Sequence, residues 1–245
     1  MANEKAFAFF GVVILLLISG CNIQNSTDIT DKNELTGMQK TSFTTEDGIR
    51  ISANYWPSKG SKGIVLLHML GRNKESWGSF AEKLNKAGYN VLAIDMRGHG
   101  ESAGGSYGSF TAQQWLGVLK DIKASKGFLI QKGVDGGSVY LIGGSIGANL
   151  SLNYAVQDSS IKKIILLSPG LDYRGVTTLP AMQKYRNAVF LAASSEDVQS
   201  FVGTKELYDA ANGSKEIREF NNAGHGTNML GKNNLDEDII AWLNK

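Results

Sequence analysis

The sequence predicts an α/β domain, a mostly parallel central sheet flanked by helices on both faces. Three observations carry that expectation. From Thr41 onward, strand-like apolar runs alternate with helix-like stretches. The inner runs, Ile-Val-Leu-Leu at 64–67, Val-Leu-Ala-Ile at 91–94 and Ile-Ile-Leu-Leu at 164–167, are continuous rather than alternating, as strands covered on both faces are. The chain has 245 residues, 42% hydrophobic and 20% charged, enough for one domain with a sizeable core.

Strands are expected near Ile49–Trp56 and Gly63–His68, then a helix over Ser76–Ala87 stopped by Gly88. A strand at Asn90–Asp95 follows, and Thr111 with Gln114 makes a capping-box start for a helix running toward Lys123. Further strands are expected at Ser138–Gly143, Ile164–Leu167, Ala188–Ala193 and Glu216–Phe220. The last helix, Leu235–Leu243, places Leu235, Ile239, Ile240 and Leu243 on one stripe. These stripes, with Trp77, Trp115 and Trp242, are read as packing.

The first residues are a separate object. After Glu4 and Lys5, Ala6–Ile18 is an unbroken apolar run, too short to span a bilayer comfortably and suited to the h-region of a secretory signal. Ser19, Gly20 and the only cysteine, Cys21, follow. The segment Ile18-Ser19-Gly20-Cys21 resembles a bacterial-type lipobox, which implies a signal peptide at 1–20, a lipid on Cys21 and an exported, membrane-anchored protein. An uncleaved anchor, or an ordinary signal with an incidental cysteine, are the alternatives. Polar residues 21–40 then read as a flexible tether, reaching about 25 Å from the membrane, ahead of a catalytic domain at 41–245. A single cysteine excludes an internal disulfide. The formal charge of +2, without basic clusters, excludes a nucleic-acid footprint. No metal or nucleotide motif is present, so no cofactor is expected.

Chemistry enters at Ser145. The apolar run from Ser138 turns through Gly143-Gly144-Ser145-Ile146-Gly147 directly into a helical segment. A strand reversing sharply into a helix holds a serine in a strained, exposed conformation. It also places the Ile146 N–H at a helix start, where an oxyanion would form. The pattern GxSxG occurs twice more, around Ser102 and Ser106, but within a polar Gly/Ser stretch that no strand feeds. Those serines are read as loop residues.

A serine hydroxyl needs a base and a group that orients the base. Of three histidines, His68 and His99 precede the nucleophile, whereas His225 sits in the small-residue loop Ala223–Thr227 after a late strand. His225 is the candidate base. For the acid, Val189–Ala193 delivers Ser194-Ser195-Glu196-Asp197, making Asp197 the first choice, with Asp172 and Glu196 as substitutes.

The order Ser145, Asp197, His225, with GxSxG between strand and helix, resembles the α/β-hydrolase fold over nearly all of Thr41–Lys245. The segment Asp95–Ser102, matching DxRGHGxS, is similar to the group of esterases, monoglyceride lipases and lysophospholipase-like hydrolases, in which it is chiefly structural; the resemblance thus makes His99 structural. It also implies a second oxyanion donor, the Leu70 N–H, in a His-Gly-x segment where Met69 replaces the usual glycine, so Met69 is the alternative donor. Only about twenty residues, Ser168–Asn187, stand where the family inserts a lid, which implies little or none. Met69, Tyr173 and Met182 are candidates for an apolar acyl pocket. The function so implied is cofactor-free hydrolysis of a small acyl ester or thioester through an acyl-enzyme. A peptidase or acyltransferase on the same triad, or a non-catalytic surface binding lipoprotein, are the alternatives.

Overall fold

A computed structural model describes Met1 and residues 37–245. The expected signal segment, Cys21 and most of the tether therefore lie outside the described residues.

The chain opens with β1 (Gln39–Thr44) and β2 (Arg50–Trp56), an antiparallel pair. Then come β3 (Gly63–Leu67), a 3-10 turn at Lys74–Trp77, α1 (Gly78–Lys86) and β4 (Asn90–Ile94). After a long loop, α2 (Ala112–Leu116) meets α3 (Val118–Gln131) at Gly117. β5 (Val139–Gly144) runs into α4 (Ile146–Ala155), followed by β6 (Lys163–Leu167). A small hairpin of β7 (Asp172–Tyr173) and β8 (Val176–Thr177) precedes α5 (Leu179–Lys184). The rest is β9 (Ala188–Ser194), α6 (Val198–Ala210), β10 (Lys215–Phe220) and α7 (Leu235–Leu243).

Eight strands form one sheet in the order β1-β2-β4-β3-β5-β6-β9-β10, parallel from β4 to β10 and antiparallel at β1 and β2. The continuous apolar runs are explained by the layers. Ile64 and Leu66 face one cluster with Phe80, Leu84 and Trp242, while Val65 and Leu67 face the other with Ile122, Leu129 and Leu150. Both faces of the inner strands are thus covered, and each fully buried aliphatic contributes roughly 1.5–3 kcal/mol.

Most expected elements are found, with informative differences. β1 starts at Gln39, inside the expected tether; its sequence Gln-Lys-Thr-Ser-Phe-Thr is an exposed edge strand with no apolar run to betray it. The expected helix at 76–87 is a 3-10 turn followed by α1. The capping box at Thr111 is present, but Gly117 divides that helix and its second part continues to Gln131. The β7–β8 hairpin, α5 and α6 had no counterpart in the sequence reading. Together the hairpin and α5 fill the segment at 168–187.

Topology sets where a ligand can bind. The chain goes from β3 to one side for β4 and to the other for β5, so the strand order reverses there. A crevice opens beyond the carboxyl ends of β3 and β5, the general ligand position in open α/β sheets.

Candidate active site

Ser145 stands between β5 and α4 at φ 55°, ψ −123°, a backbone region that costs a non-glycine residue roughly 1–3 kcal/mol. Neighbours hold it there. Its N–H donates to the Leu167 carbonyl at 2.8 Å, and its own carbonyl accepts from Ala148 N at 2.9 Å. A Cβ on Gly143 would lie 2.2 Å from the Gly147 oxygen, and one on Gly147 would lie 2.4 Å from the Leu67 oxygen. Only glycine at both positions lets α4 back so closely onto β3 and β5. The Ile146 N–H, first in the helix, and the Leu70 N–H, beyond β3, have no acceptor among the described residues. Leu70 sits in a turn closed by Arg72 N donating to the Met69 carbonyl at 3.1 Å. Gly71 takes the left-handed position of that turn at φ 68°. The Met69 side chain fills the space beside Gly144 and Gly226.

His225 follows β10 and Asp197 follows β9, so both arrive at the same end of the sheet as Ser145. The imidazole Nδ1 is 2.5 Å from Asp197 Oδ2. With the carboxylate ionised, Nδ1–H donates, leaving Nε2 as an acceptor. The Ser200 hydroxyl lies 3.4 Å from the same Nδ1. Glu196 faces the other way and holds the histidine loop: it accepts from Asn222 N at 2.8 Å, Gly224 N at 2.6 Å and the Ser194 hydroxyl. The Ser194 hydroxyl first, and then those loop amides, hold its pKa down to about 2. Asp172 accepts from Gly175 N at 2.7 Å within the β7–β8 turn. Of the three carboxylates weighed from the sequence, Asp197 is the one that meets the imidazole.

The other histidines and serines are tied elsewhere. His68 is fully buried, with Nδ1 2.7 Å from the Met69 carbonyl and Nε2 accepting from Met96 N at 3.1 Å. Burial pushes its pKa down to about 3, so it stays neutral. His99 stacks on Tyr107 at 4.0 Å and is also buried. The 95–102 loop is a polar staple. Asp95, fully buried, accepts from Lys74 Nζ at 2.7 Å and Glu101 N at 2.8 Å, and Arg97 donates to Asp121 and Asp47. Ser102 accepts from Ser52 N at 2.8 Å and donates to the Asp95 carbonyl at 2.6 Å. Ser106 is exposed ahead of a short 3-10 turn.

Ser145, Ile146, Leu70 and His225 open onto one cavity of about 430 Å³, with Met69 and Tyr173 adding apolar wall and Arg72 and Arg174 at its edge. The Tyr173 hydroxyl is 2.7 Å from Ser200 Oγ, and its ring meets His225 edge-on at 6.4 Å. Burial pushes the Tyr173 phenol up, while the hydroxyls of Ser200 and Ser145 pull it down. Met182 does not line this cavity. It is fully buried in the core beneath α5, because that short helix turns inward and not toward the crevice. A second cleft, about 320 Å³ beside Asp47 and Arg97, contains no serine or histidine. Among the described residues no group of His, Cys, Asp and Glu could hold a metal ion, and no helix is long and apolar enough to cross a membrane.

Sequence reasoning missed three residues here. Asn149, fully buried on α4, donates to the Val176 carbonyl at 2.8 Å and accepts from Gly170 N at 3.1 Å, tying the hairpin to the serine's helix. Ser168 accepts from Gly226 N at 2.9 Å, and Ser200 supports the histidine. Asn149, four residues after Ser145, shares α4 with the polar Ser151 and Asn153, so its polarity alone did not single it out.

Sheet order, strand-to-helix serine and layered helices define the α/β-hydrolase fold. More narrowly, residues 59–195, over half the chain, match the family described as Hydrolase_4, serine aminopeptidase, S33, and the chain belongs to that family. No curated protein matches it by sequence. Among solved structures, it is similar to an esterase of Pyrococcus furiosus at TM-score 0.68 and 18% identity, over 85% of this chain and 92% of that one. An esterase from Exiguobacterium antarcticum aligns at TM-score 0.68 and 13% identity, over 84% and 100%. A structure from a study of carboxylesterases of the thaumarchaeon Nitrososphaera gargenis aligns at 0.69 and 17%, over 83% and 98%. At these identities the likeness shows the fold.

Proposed function

We propose that the protein is a serine carboxylesterase of the lysophospholipase-like kind, in which Ser145 is the nucleophile, His225 the general base and acid, and Asp197 the group that orients and stabilises the imidazole. The observation that carries this reading is the Asp197–His225 hydrogen bond at the cavity onto which the strained Ser145 opens. In the first half-reaction Ser145 Oγ attacks the ester carbonyl and its proton passes to His225 Nε2. The tetrahedral oxyanion is held by the Ile146 and Leu70 N–H groups, each such donor being worth roughly 3 kcal/mol in the transition state. Collapse breaks the bond to the alkoxide, which leaves with the proton from His225. Water, deprotonated by the same nitrogen, then attacks the acyl-Ser145 ester, and the acid is released. None of these steps calls for a cofactor.

The family's description as serine aminopeptidase favours a second reading, hydrolysis of aminoacyl amides. That chemistry needs a carboxylate to receive a free ammonium group. The cavity offers one carboxylate, Asp172, whose Oδ1 accepts from Gly175 N, beside two arginines, and that balance supports an ester instead. In the same proposal the enzyme is exported and held at a membrane by lipid on Cys21, as the lipobox-like segment suggests.

The test is labelling of Ser145 by a fluorophosphonate probe, with turnover of p-nitrophenyl acetate and butyrate compared with a matched aminoacyl anilide. Labelling and ester turnover that vanish in Ser145→Ala are expected. Equal turnover by that variant would overturn the assignment, and a faster anilide would favour the peptidase.

A further inference from the structure

Two arginines and a single carboxylate, Asp172, line the cavity beside Ser145. Arg72 and Arg174 both line it, both are exposed, and among the described residues neither guanidinium has a carboxylate partner or a hydrogen-bond acceptor. The other cations of long polar networks are satisfied: Lys74 by Asp95, Arg97 by Asp121 and Asp47, Arg218 by Glu216 and Asp238. The carboxylates nearest the site are Asp172 and Asp197. Asp172 accepts from its own turn and Asp197 from His225.

Arg174 is also placed at a cost. With Gly175 it forms the two-residue loop between the paired Tyr173 and Val176, and both have positive φ, 58° and 81°. That is a type I′ turn, whose first central position favours asparagine, aspartate or glycine. An arginine there gains no turn hydrogen bond of its own. Gly175 is fixed by close approach, since a Cβ there would meet Ala112 Cβ at 2.5 Å. The turn is held rigidly to the catalytic helix: Asn149 Nδ2 donates to the Val176 carbonyl and Asn153 Nδ2 to the Thr177 carbonyl, both at 2.8 Å. Arg72 lines the same cavity from the loop beyond β3, closing the turn that presents the Leu70 N–H. Two free guanidiniums, one on a strained and anchored hairpin and one on the loop beyond β3, therefore share one rim.

We propose that Arg72 and Arg174 form an anion-recognition rim, so that the preferred substrate is an ester carrying a carboxylate, or an oxyanion of like geometry, several atoms from the scissile carbonyl. This rests on the hydrolase reading of Ser145. The guanidinium fork matches such an oxyanion in the bidentate manner that a lysine does not. The apolar wall of Met69, Leu70 and Ile146 suits the carbon stem between the two groups.

Two matched substrate pairs test it: p-nitrophenyl hemiadipate against p-nitrophenyl hexanoate puts the anion on the acyl side, and m-carboxyphenyl acetate against phenyl acetate puts it on the alcohol side. One pair is expected to show kcat/KM higher for its anionic member by about tenfold at low salt, declining as salt is raised. The anionic-to-neutral ratio drops about threefold in Arg174→Gln and to about one in the Arg72→Gln/Arg174→Gln double variant. Arg174→Asn, better suited to the turn, loses the same preference while its Tm rises by about 1–3 °C. A purely structural role would lower both members of a pair equally and leave the ratio untouched. Neutral esters cleaved in a Ser145-dependent way, with a ratio at or below one in both pairs or unchanged in the double variant, would sink the rim and spare the hydrolase. Cleavage of no ester, with no fluorophosphonate labelling, would sink both.

Discussion

Of the three segments that carry the same five-residue pattern, two do opposite things. At 143–147 the pattern sits where β5 becomes α4, and its serine is strained and its hydroxyl faces a cavity. At 100–104 it sits in the loop after β4, and Ser102 is pinned on both sides, accepting from Ser52 N and donating to the Asp95 carbonyl. The histidines divide in the same way. His99 is stacked and buried beside the second segment, whereas His225 is half-exposed and oriented by a carboxylate near the first. Reactivity here is a property of what the surrounding elements leave unsatisfied, and the identity of the five residues decides little.

The contrast can be broken most sharply by paired substitutions. Ser145→Ala is expected to lower kcat by a factor of about 10⁶, and Asp197→Asn by about 10⁴, in ester hydrolysis assays on folded protein. If Ser102→Ala caused comparable loss without unfolding, the distinction between the two segments would be wrong. Lys74→Met leaves Asp95 buried without its cation and should destabilise by about 3–5 kcal/mol in urea unfolding, through the second segment alone. Asn149→Ala strips partners from the Val176 carbonyl and the Gly170 N–H, costing about 2–3 kcal/mol and loosening the hairpin at the cavity. Ser102→Ala should cost about 1–2 kcal/mol with kcat within twofold of the parent.

The smallest effect sharpens the comparison by pH. Glu196, holding the His225 loop, is depressed from its ordinary value near 4.5 to about 2 in the folded protein. A depressed carboxylate stabilises the fold fully above the unfolded value, and that contribution disappears as pH falls from about 4.5 toward 2. Urea midpoints measured across this range should fall more steeply for the parent than for Glu196→Gln. Equal slopes would detach Glu196 from the loop's stability.

Much of this was readable from residues alone, for a definite reason. Inner strands such as Ile64–Leu67 are covered on both faces, so their apolar runs had to be continuous, and the glycines around Ser145 are dictated by backbone contacts too close for a Cβ. The convergence of Ser145, Asp197 and His225 follows from parallel strands ending at one edge. What stayed hidden has weak local signals. β1 is a polar edge strand, each strand of the β7–β8 hairpin is two residues long, and Met182 is apolar for the core and not for a ligand. Position after β9 put Asp197 ahead of Asp172 and Glu196 without excluding either. The hydrogen bonds separate them: backbone amides reach Asp172 and Glu196, and the imidazole reaches Asp197.

The fit of Gly147 against the carbonyls of Leu67 and His68 has a consequence for how this protein fails. With no slack between α4 and β3, Ser145 and the loop beyond β3 cannot drift apart while the surrounding layers persist. Thermal inactivation and global melting should therefore trace the same curve, with no temperature interval in which an intact scaffold carries a dead catalyst.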